Sequence, residues 1–138
     1  MLYIDAENNI YGRLSSYVAK QLLNGEEIII VNASKVVITG KRSLVLEKFK
    51  HLRNIGSVRK GPYYPKTPDQ ILRRGIKGML PVKKTRGLNA YKKCLVYSHI
   101  PKSLEDKEFI KIDKALNNNA TGFVSLGEIS KILGENHE

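Results

Sequence analysis

The densest group of chemistry-bearing side chains in this sequence is basic. Between Arg73 and Gly87 the stretch RRGIKGMLPVKKTRG holds six Lys or Arg residues and no acid. Concentrated positive charge of this kind attracts polyanions. The same stretch carries Ile76, Met79 and Leu80, residues typical of a packed core. We therefore expect a segment that is anchored on a folded body and presents its charge to an anionic partner.

The net charge of +11 is concentrated in the middle third of the chain. Residues 41–93 contain 16 Lys or Arg against 2 acids, whereas residues 1–40 contain 3 against 4 and residues 94–138 contain 5 against 7. An ordinary surface interleaves the two signs, as the C-terminal part does. The charge map therefore predicts a near-neutral body with one intensely basic region.

Residues typical of enzymes and metal sites are few and scattered. The histidines stand far apart and have no Cys or His at ligand spacing: His51, His99 and His137. Cys94 lies in an apolar run, where a thiol is usually an inert core residue. The stretch TGKRS resembles the end of a phosphate-binding loop, but Lys35 and Arg42 occupy positions where that motif needs Gly and Ser or Thr. We predict no catalytic residue, no metal site and no cofactor.

Among polyanions, a folded RNA fits the basic region best. A basic membrane helix would need Trp, Phe or Leu opposite its charges, but Trp is absent and the apolar faces are used by the core. DNA readers usually carry a helix-turn-helix, a zinc site or a basic zipper, and the sequence shows none of these. Charge on several helices and loops together suits RNA, whose phosphates converge from several strands and which is read largely by shape.

The predicted RNA contacts form three groups. The central group is Arg73, Arg74, Lys77, Lys83, Lys84 and Arg86; the second is Lys41, Arg42, Arg53, Arg59, Lys60 and Lys66; the third is Lys92 and Lys93. Tyr63 and Tyr64 lie beside Arg59, Lys60 and Lys66, so they could stack on an unpaired base or equally pack their loop onto its own domain. Arg13 could be an RNA contact or an internal bridge.

Hydrophobic periodicity places these residues on an α/β domain. LYIDA reads as a first strand, Gly12–Leu23 as an amphipathic helix, and the β-branched run Ile28–Asn32 as a strand buried on both faces, as in a parallel sheet. Val36–Thr39 reads as a further strand. A helix from Val45 to about Asn54 follows.

Two capping boxes mark later helices. Thr67-Pro68-Asp69-Gln70 begins a helix that should end at Pro81, with Leu72, Ile76, Met79 and Leu80 as its anchors on the core. Cys94–Tyr97 reads as another buried strand. Ser125-Leu126-Gly127-Glu128 begins a short C-terminal helix with Leu126, Ile129 and Leu133 facing inward.

Length and composition predict one domain over residues 1–138. Its parts are a basic RNA-facing middle at 41–93 and a C-terminal helical extension at about 103–138. No apolar run is long enough for a membrane span, and the N-terminus lacks the pattern of a signal peptide. With a single cysteine, a reducing cytoplasmic setting is expected.

Two blocks of the sequence resemble the ribosomal protein L13 family of the large subunit. The first is DAENNIYGRLSSYVAKQLLNGEEIIIVNASKVVITGKR at residues 5–42, and the second is GPYYPKTPDQILRRGIKGMLPVKKTRGLNAYKKCLVYSHIP at residues 61–101. The resemblance implies a three-layer α/β/α fold around a mostly parallel four-stranded sheet. It also implies a non-catalytic structural role, in which the protein binds and stabilises large-subunit ribosomal RNA beside neighbouring ribosomal proteins and supports assembly and translation. The sequence lacks the His-Pro-His stretch that bacterial members have after the last strand, and in this it resembles the archaeal and eukaryotic branch. Its shortness is similar to that of archaeal members.

Three positions depart from the usual family pattern. Ser15 replaces an alanine, Lys77 stands where arginine is common, and His99 stands where many members have glycine. Lysine keeps the charge of arginine but loses its bidentate geometry toward phosphate. Two other function classes stay open: an RNA-binding regulator acting away from the ribosome, and an α/β enzyme with an anionic substrate.

Overall fold

The computed structural model describes residues 2–54, 67–112, 115–116 and 123–135. The strands are β1 (Leu2–Asp5), β2 (Ile28–Val31), β3 (Val37–Thr39), β4 (Cys94–Val96) and β5 (Phe123–Ser125). The helices are α1 (Tyr11–Leu23), α2 (Arg42–Asn54), α3 (Pro68–Gly78), α4 (Thr85–Lys92) and α5 (Leu126–Glu135). Short 3₁₀ turns cover Ala33–Lys35 and Lys102–Leu104.

A parallel sheet in the order β1-β2-β4 forms the centre of the fold. All four residues of β2 are buried, which explains why this β-branched run takes the middle position. A further segment joins the β1 edge through one parallel bridge between Ile4 and Ile110. The α/β class and the parallel sheet are therefore confirmed, whereas the expected count of four strands is only approximate.

Side chains on one face of the sheet belong to the main hydrophobic core. Ile4, Ile28, Ile30 and Cys94 join the same cluster as the apolar stripes of α1 and α3. Helix α1 packs against both α3 and α4. Leu14, Val18 and Leu22 supply the stripe of α1, and all three are buried as their spacing predicts. This packing fixes the position of α3 and α4 relative to the sheet.

The C-terminal part of the described chain packs into the same core. Strand β5 pairs antiparallel with β3, and α5 contacts α2 and α3. Val124, Leu126 and Ile129 are each at most 1% exposed. The predicted capping serine also forms its bond, because the Glu128 backbone N–H donates to Ser125 Oγ at 3.2 Å. The side chain of Leu133, the third predicted inward residue, lies outside the described residues.

Three elements differ from their prediction. Neither helix α4 nor strand β5 was predicted from the sequence. Strand β4 is not buried throughout, since Leu95 is 47% exposed while Cys94 and Val96 are buried. Strand β4 lies at the edge of the sheet, and one of its faces lacks the cover that β2 has.

Candidate nucleic-acid interface

Helix α3 presents an apolar face to the core and a basic face outward. Ile71, Leu72 and Ile76 are fully buried, and Leu80 just beyond the helix is 5% exposed. Met79 is 46% exposed, so its prediction as an anchor is wrong. The reason is that the helix ends at Gly78, and Met79 then lies at the C-cap, outside the inward stripe. Ile71, which the predicted stripe omitted, completes the buried face instead.

Helix α3 begins where the sequence predicts, but one of the expected capping contacts is absent. Pro68 is the first helical residue and Thr67 the N-cap, but the Thr67 side chain makes no capping hydrogen bond. Asp69 lies in the first turn, where a carboxylate favours the helix dipole, and its Oδ1 accepts a hydrogen bond from Ser98 Oγ at 3.3 Å. Asp69 therefore has a structural role at the start of the helix.

A groove separates the outer face of α3 from α4. It encloses about 590 Å³ and is lined by Gln70, Arg73, Arg74, Lys77, Gly78, Val82 and Tyr91. The Arg73 guanidinium carbon lies 4.5 Å from the centre of the Tyr91 ring, and Lys77 Nζ lies 5.7 Å from the same centre. Both distances are within the range of cation–π attraction. The ring thus gathers two of the predicted cations at one place.

The turn before α4 and its first residues add three more cations. Lys83, Lys84 and Arg86 are all exposed. Gly87 is buried, and a Cβ there would overlap the carbonyl oxygen of Pro81, so glycine lets α4 start close against the preceding turn. Below, the α3–α4 surface means the groove together with the six central cations Arg73, Arg74, Lys77, Lys83, Lys84 and Arg86.

Little negative charge neutralises this surface. In the described part of the chain no carboxylate lies within ion-pair distance of Lys77, Lys83, Lys84 or Arg86, and the ion pair Lys35–Glu7, at 3.8 Å, lies elsewhere. Helix α4 has no acidic residue in its first turn. The α3–α4 surface therefore carries its positive charge outward.

The remaining candidates are distributed around the molecule. Lys41 is exposed beside α2, at an apolar pocket of about 300 Å³, and Lys92 and Lys93 are exposed at the end of α4. Arg13 is exposed on α1. Arg42 and Arg53 belong to α2, but their side chains lie outside the described residues. Also outside the described residues are Arg59, Lys60, Tyr63, Tyr64 and Lys66.

Tyr91 is the groove residue that sequence reasoning missed. It belongs to α4, whose buried residues are Gly87 and Ala90. Such small side chains give almost no hydrophobic periodicity, so the helix was not detected. The sequence feature that could have indicated this helix is the spacing of three between Gly87 and Ala90, followed by an aromatic residue next to lysines.

Groups that could support catalysis do not assemble in the described part of the chain. Cys94 is fully buried, and burial raises its pKa to about 11, while the charge of Arg73 acts in the opposite direction. No three His, Cys, Asp or Glu residues among those described are placed to hold a metal ion. None of the described helices has both the length and the apolarity that crossing a bilayer requires.

Comparison with known proteins identifies the family. The model of the family described as Ribosomal protein L13 matches residues 1–103. The chain belongs to the ribosomal protein L13 family. Its class is therefore a structural component of the ribosome and not an enzyme, and its location is the cytoplasmic ribosome.

Relatives from archaea match the chain nearly end to end, and each is named Large ribosomal subunit protein uL13. The relative from Picrophilus torridus is 66% identical over 138 residues and covers 100% of both chains. The one from Thermoplasma volcanium is 57% identical, covering 97% of this chain and 98% of the relative. The one from Archaeoglobus fulgidus is 46% identical, covering 95% and 86%. These L13 relatives thus extend past residue 103, where the family match ends.

Proposed function

We propose that this L13-family chain is a constituent of the large ribosomal subunit and binds the RNA of that subunit through the α3–α4 surface. The observation that carries the proposal is the grouping of Arg73, Arg74 and Lys77 along one open groove, with Lys83, Lys84 and Arg86 exposed on the adjoining turn and the start of α4. Among the described residues, no carboxylate lies within ion-pair distance of Lys77, Lys83, Lys84 or Arg86. Cations spread over two helices and a turn match phosphates that converge from several RNA strands. Lys41, Lys92 and Lys93 extend the contact beyond this surface.

The anchoring of α3 supports this role. Ile71, Leu72 and Ile76 hold the helix on the core, so its outer cations project from a rigid element. A preorganised set of charges loses less entropy on binding than charges on a mobile tail. The buried face of the same helix therefore serves affinity as well as stability.

The residues predicted as RNA contacts but not described belong to the same proposal. Arg42, Arg53, Arg59, Lys60 and Lys66 would add phosphate contacts, and Tyr63 and Tyr64 are candidates for base stacking. We also propose that residues 1–138 act as one domain with its basic middle at 41–93. The C-terminal extension at about 103–138 would contact a neighbouring ribosomal protein, because its mild acidity disfavours RNA.

The test is a salt titration of affinity for large-subunit RNA, random RNA and duplex DNA. Log K should fall linearly with log salt, by about 0.7–0.9 per phosphate contact. The variant carrying Lys77→Ala, Lys83→Ala and Lys84→Ala should bind more weakly and lose about two units of slope. We omit Arg73 because it packs on Tyr91, so that its loss would also disturb the fold.

A matched control removes the same charge from other faces. Lys20→Ala, Lys102→Ala and Lys131→Ala change three exposed lysines, and this variant should keep nearly all the affinity and slope. Equal loss in both variants would contradict the assignment of the α3–α4 surface. A steep slope without preference for large-subunit RNA would indicate a general polyanion binder. Absence from sedimenting large subunits would favour the regulator acting away from the ribosome.

A further inference from the structure

Arg73 differs from the other cations of the α3–α4 surface in its burial and in how closely it lies against the Tyr91 ring. It is partly buried, whereas Lys77, Lys83, Lys84 and Arg86 are exposed. Its guanidinium carbon lies 4.5 Å from the centre of the Tyr91 ring. A planar guanidinium at this distance is held over the ring by cation–π attraction and packing.

Hydrogen bonding does not hold Arg73 within the described part of the chain. The Nε of Arg73 is buried and has no acceptor there. No described carboxylate lies within ion-pair distance of its guanidinium. The side chain is therefore oriented by the Tyr91 ring, while its charge stays available to a ligand in the groove.

The groove has the dimensions and lining for one nucleotide. Its volume of about 590 Å³ lies in the range of small-ligand sites. Apolar Val82 and polar Gln70 line it together with Arg73. Lys77 lies at the same ring, where its ammonium can meet a phosphate as a point charge.

We propose that Arg73, supported by Tyr91, is a stacking platform for one unpaired base of the bound RNA, with a phosphate of that nucleotide on Lys77. This inference rests on the proposed function and specifies what the groove recognises. Arginine planes are one of the surfaces on which splayed-out RNA bases stack. Stacking tolerates any base because each has a π-face, whereas the Lys77 contact depends on salt.

The first experiment uses the unaltered protein and two probes with equal charge. One is an eight-nucleotide uridine RNA and the other is an abasic RNA with the same number of phosphates. The uridine RNA should bind at least about 5-fold more tightly, with the same salt slope for both. Equal affinity for the two probes would overturn the stacking proposal.

Two variants then assign the base-dependent part of the affinity to a residue. Arg73→Lys keeps the charge but removes the plane, so it should abolish the preference for uridine RNA over abasic RNA. Lys77→Ala should lower the salt slope by about 0.7 and keep that preference. A preference that survives Arg73→Lys would overturn the assignment to Arg73. Thermal unfolding checks that each variant folds, and the comparison of probes on the unaltered protein decides the stacking question if Arg73→Lys does not fold.

The outcomes separate this inference from the proposed function. Suppose that the protein binds large-subunit RNA specifically and with salt dependence, but binds the uridine and abasic RNAs equally well. That result would be consistent with the proposed function and would overturn the stacking platform. Binding that shows neither a preference for large-subunit RNA nor a dependence on salt would overturn both the proposed function and the stacking platform.

Discussion

At the scale of single residues, one glycine on α3 determines how closely α1 can approach. A Cβ at Gly75 would overlap the Tyr11 hydroxyl, which donates a hydrogen bond to the Ile71 carbonyl oxygen at 3.1 Å. Gly78, three residues later, has open space around the position of a Cβ. Two glycines that look alike in the sequence therefore have different roles.

The two glycines should respond oppositely to alanine. We expect Gly75→Ala to lower the free energy of unfolding by about 1–3 kcal/mol, because Tyr11 must move and its hydrogen bond is lost. Gly78→Ala should raise it by up to about 1 kcal/mol, because alanine favours the helix and restricts the unfolded chain. Urea denaturation measures both. Equal destabilisation by the two changes would contradict the close approach of Tyr11.

The buried thiol gives a second prediction at this scale. Burial raises the pKa of Cys94 from 9.0 to about 11, so the folded protein favours the neutral thiol. That contribution to stability is full below pH 9 and is lost as the pH rises toward 11. The difference in unfolding free energy between the unaltered protein and Cys94→Ala should therefore narrow over this range. A difference that stays constant from pH 8 to 10.5 would contradict the raised pKa.

At the scale of elements, α3 combines the two properties that the sequence mixed in one segment. Its buried stripe runs through Ile71, Leu72 and Ile76 and continues to Leu80, while Arg73, Arg74 and Lys77 occupy other faces. The helical period separates the two sets, since residues three and four apart share a face. A single short helix thus provides both core packing and a basic surface.

Because buried and exposed residues are separated in this way, alanine substitutions along α3 should lower the free energy of unfolding by different amounts. Leu72→Ala should lower the free energy of unfolding by about 2–5 kcal/mol, because a fully buried side chain leaves a cavity. Met79→Ala should cost less than about 1 kcal/mol, because Met79 is 46% exposed at the helix end. Thermal or urea unfolding compares the two variants. A large decrease in the free energy of unfolding for Met79→Ala would indicate that Met79 anchors the core after all.

At the scale of the whole molecule, the concentration of positive charge opposes folding while it favours binding. Residues 41–93 carry 16 of the 24 basic residues, and two of these cations share the Tyr91 ring. Like charges held this close repel one another in the free protein. A bound polyanion removes this repulsion. Salt should therefore change the stability of the free protein and its affinity for RNA in opposite directions.

We therefore expect added salt to raise the melting temperature of the free protein and to weaken RNA binding. Added salt shortens the distance over which exposed charges act, from about 10 Å at 0.1 M to about 3 Å at 1 M, so it weakens the repulsion between exposed cations. Lys77→Ala, Lys83→Ala and Lys84→Ala together should reduce the salt-dependent gain in melting temperature. The control variant at Lys20, Lys102 and Lys131 should retain the gain. If salt lowers the melting temperature of the free protein, repulsion within the basic region is not a significant cost.

The periodic parts of the fold follow from the sequence by itself. The stripe of α1, the buried run of β2 and the helix start at Thr67 and Pro68 agree with the structure, because local spacing alone carries these signals. In α3 the predicted stripe is right at Leu72, Ile76 and Leu80. The charge map likewise indicated an RNA partner, and the family resemblance indicated a ribosomal protein. Tyr63, Tyr64 and the neighbouring basic residues lie outside the described residues, so their predicted contacts with RNA remain predictions.

Features that depend on contacts between distant residues were decided only by the tertiary structure. Helix α4 was missed because its buried residues are Gly87 and Ala90, and Met79 was misplaced because the helix ended earlier than its apolar spacing suggested. The antiparallel pairing of β3 with β5 joins segments more than 80 residues apart, which no local pattern specifies. The same holds for Arg73 on Tyr91: a sequence shows that both residues exist, but only the packing of α3 beside α4 brings a guanidinium onto a ring.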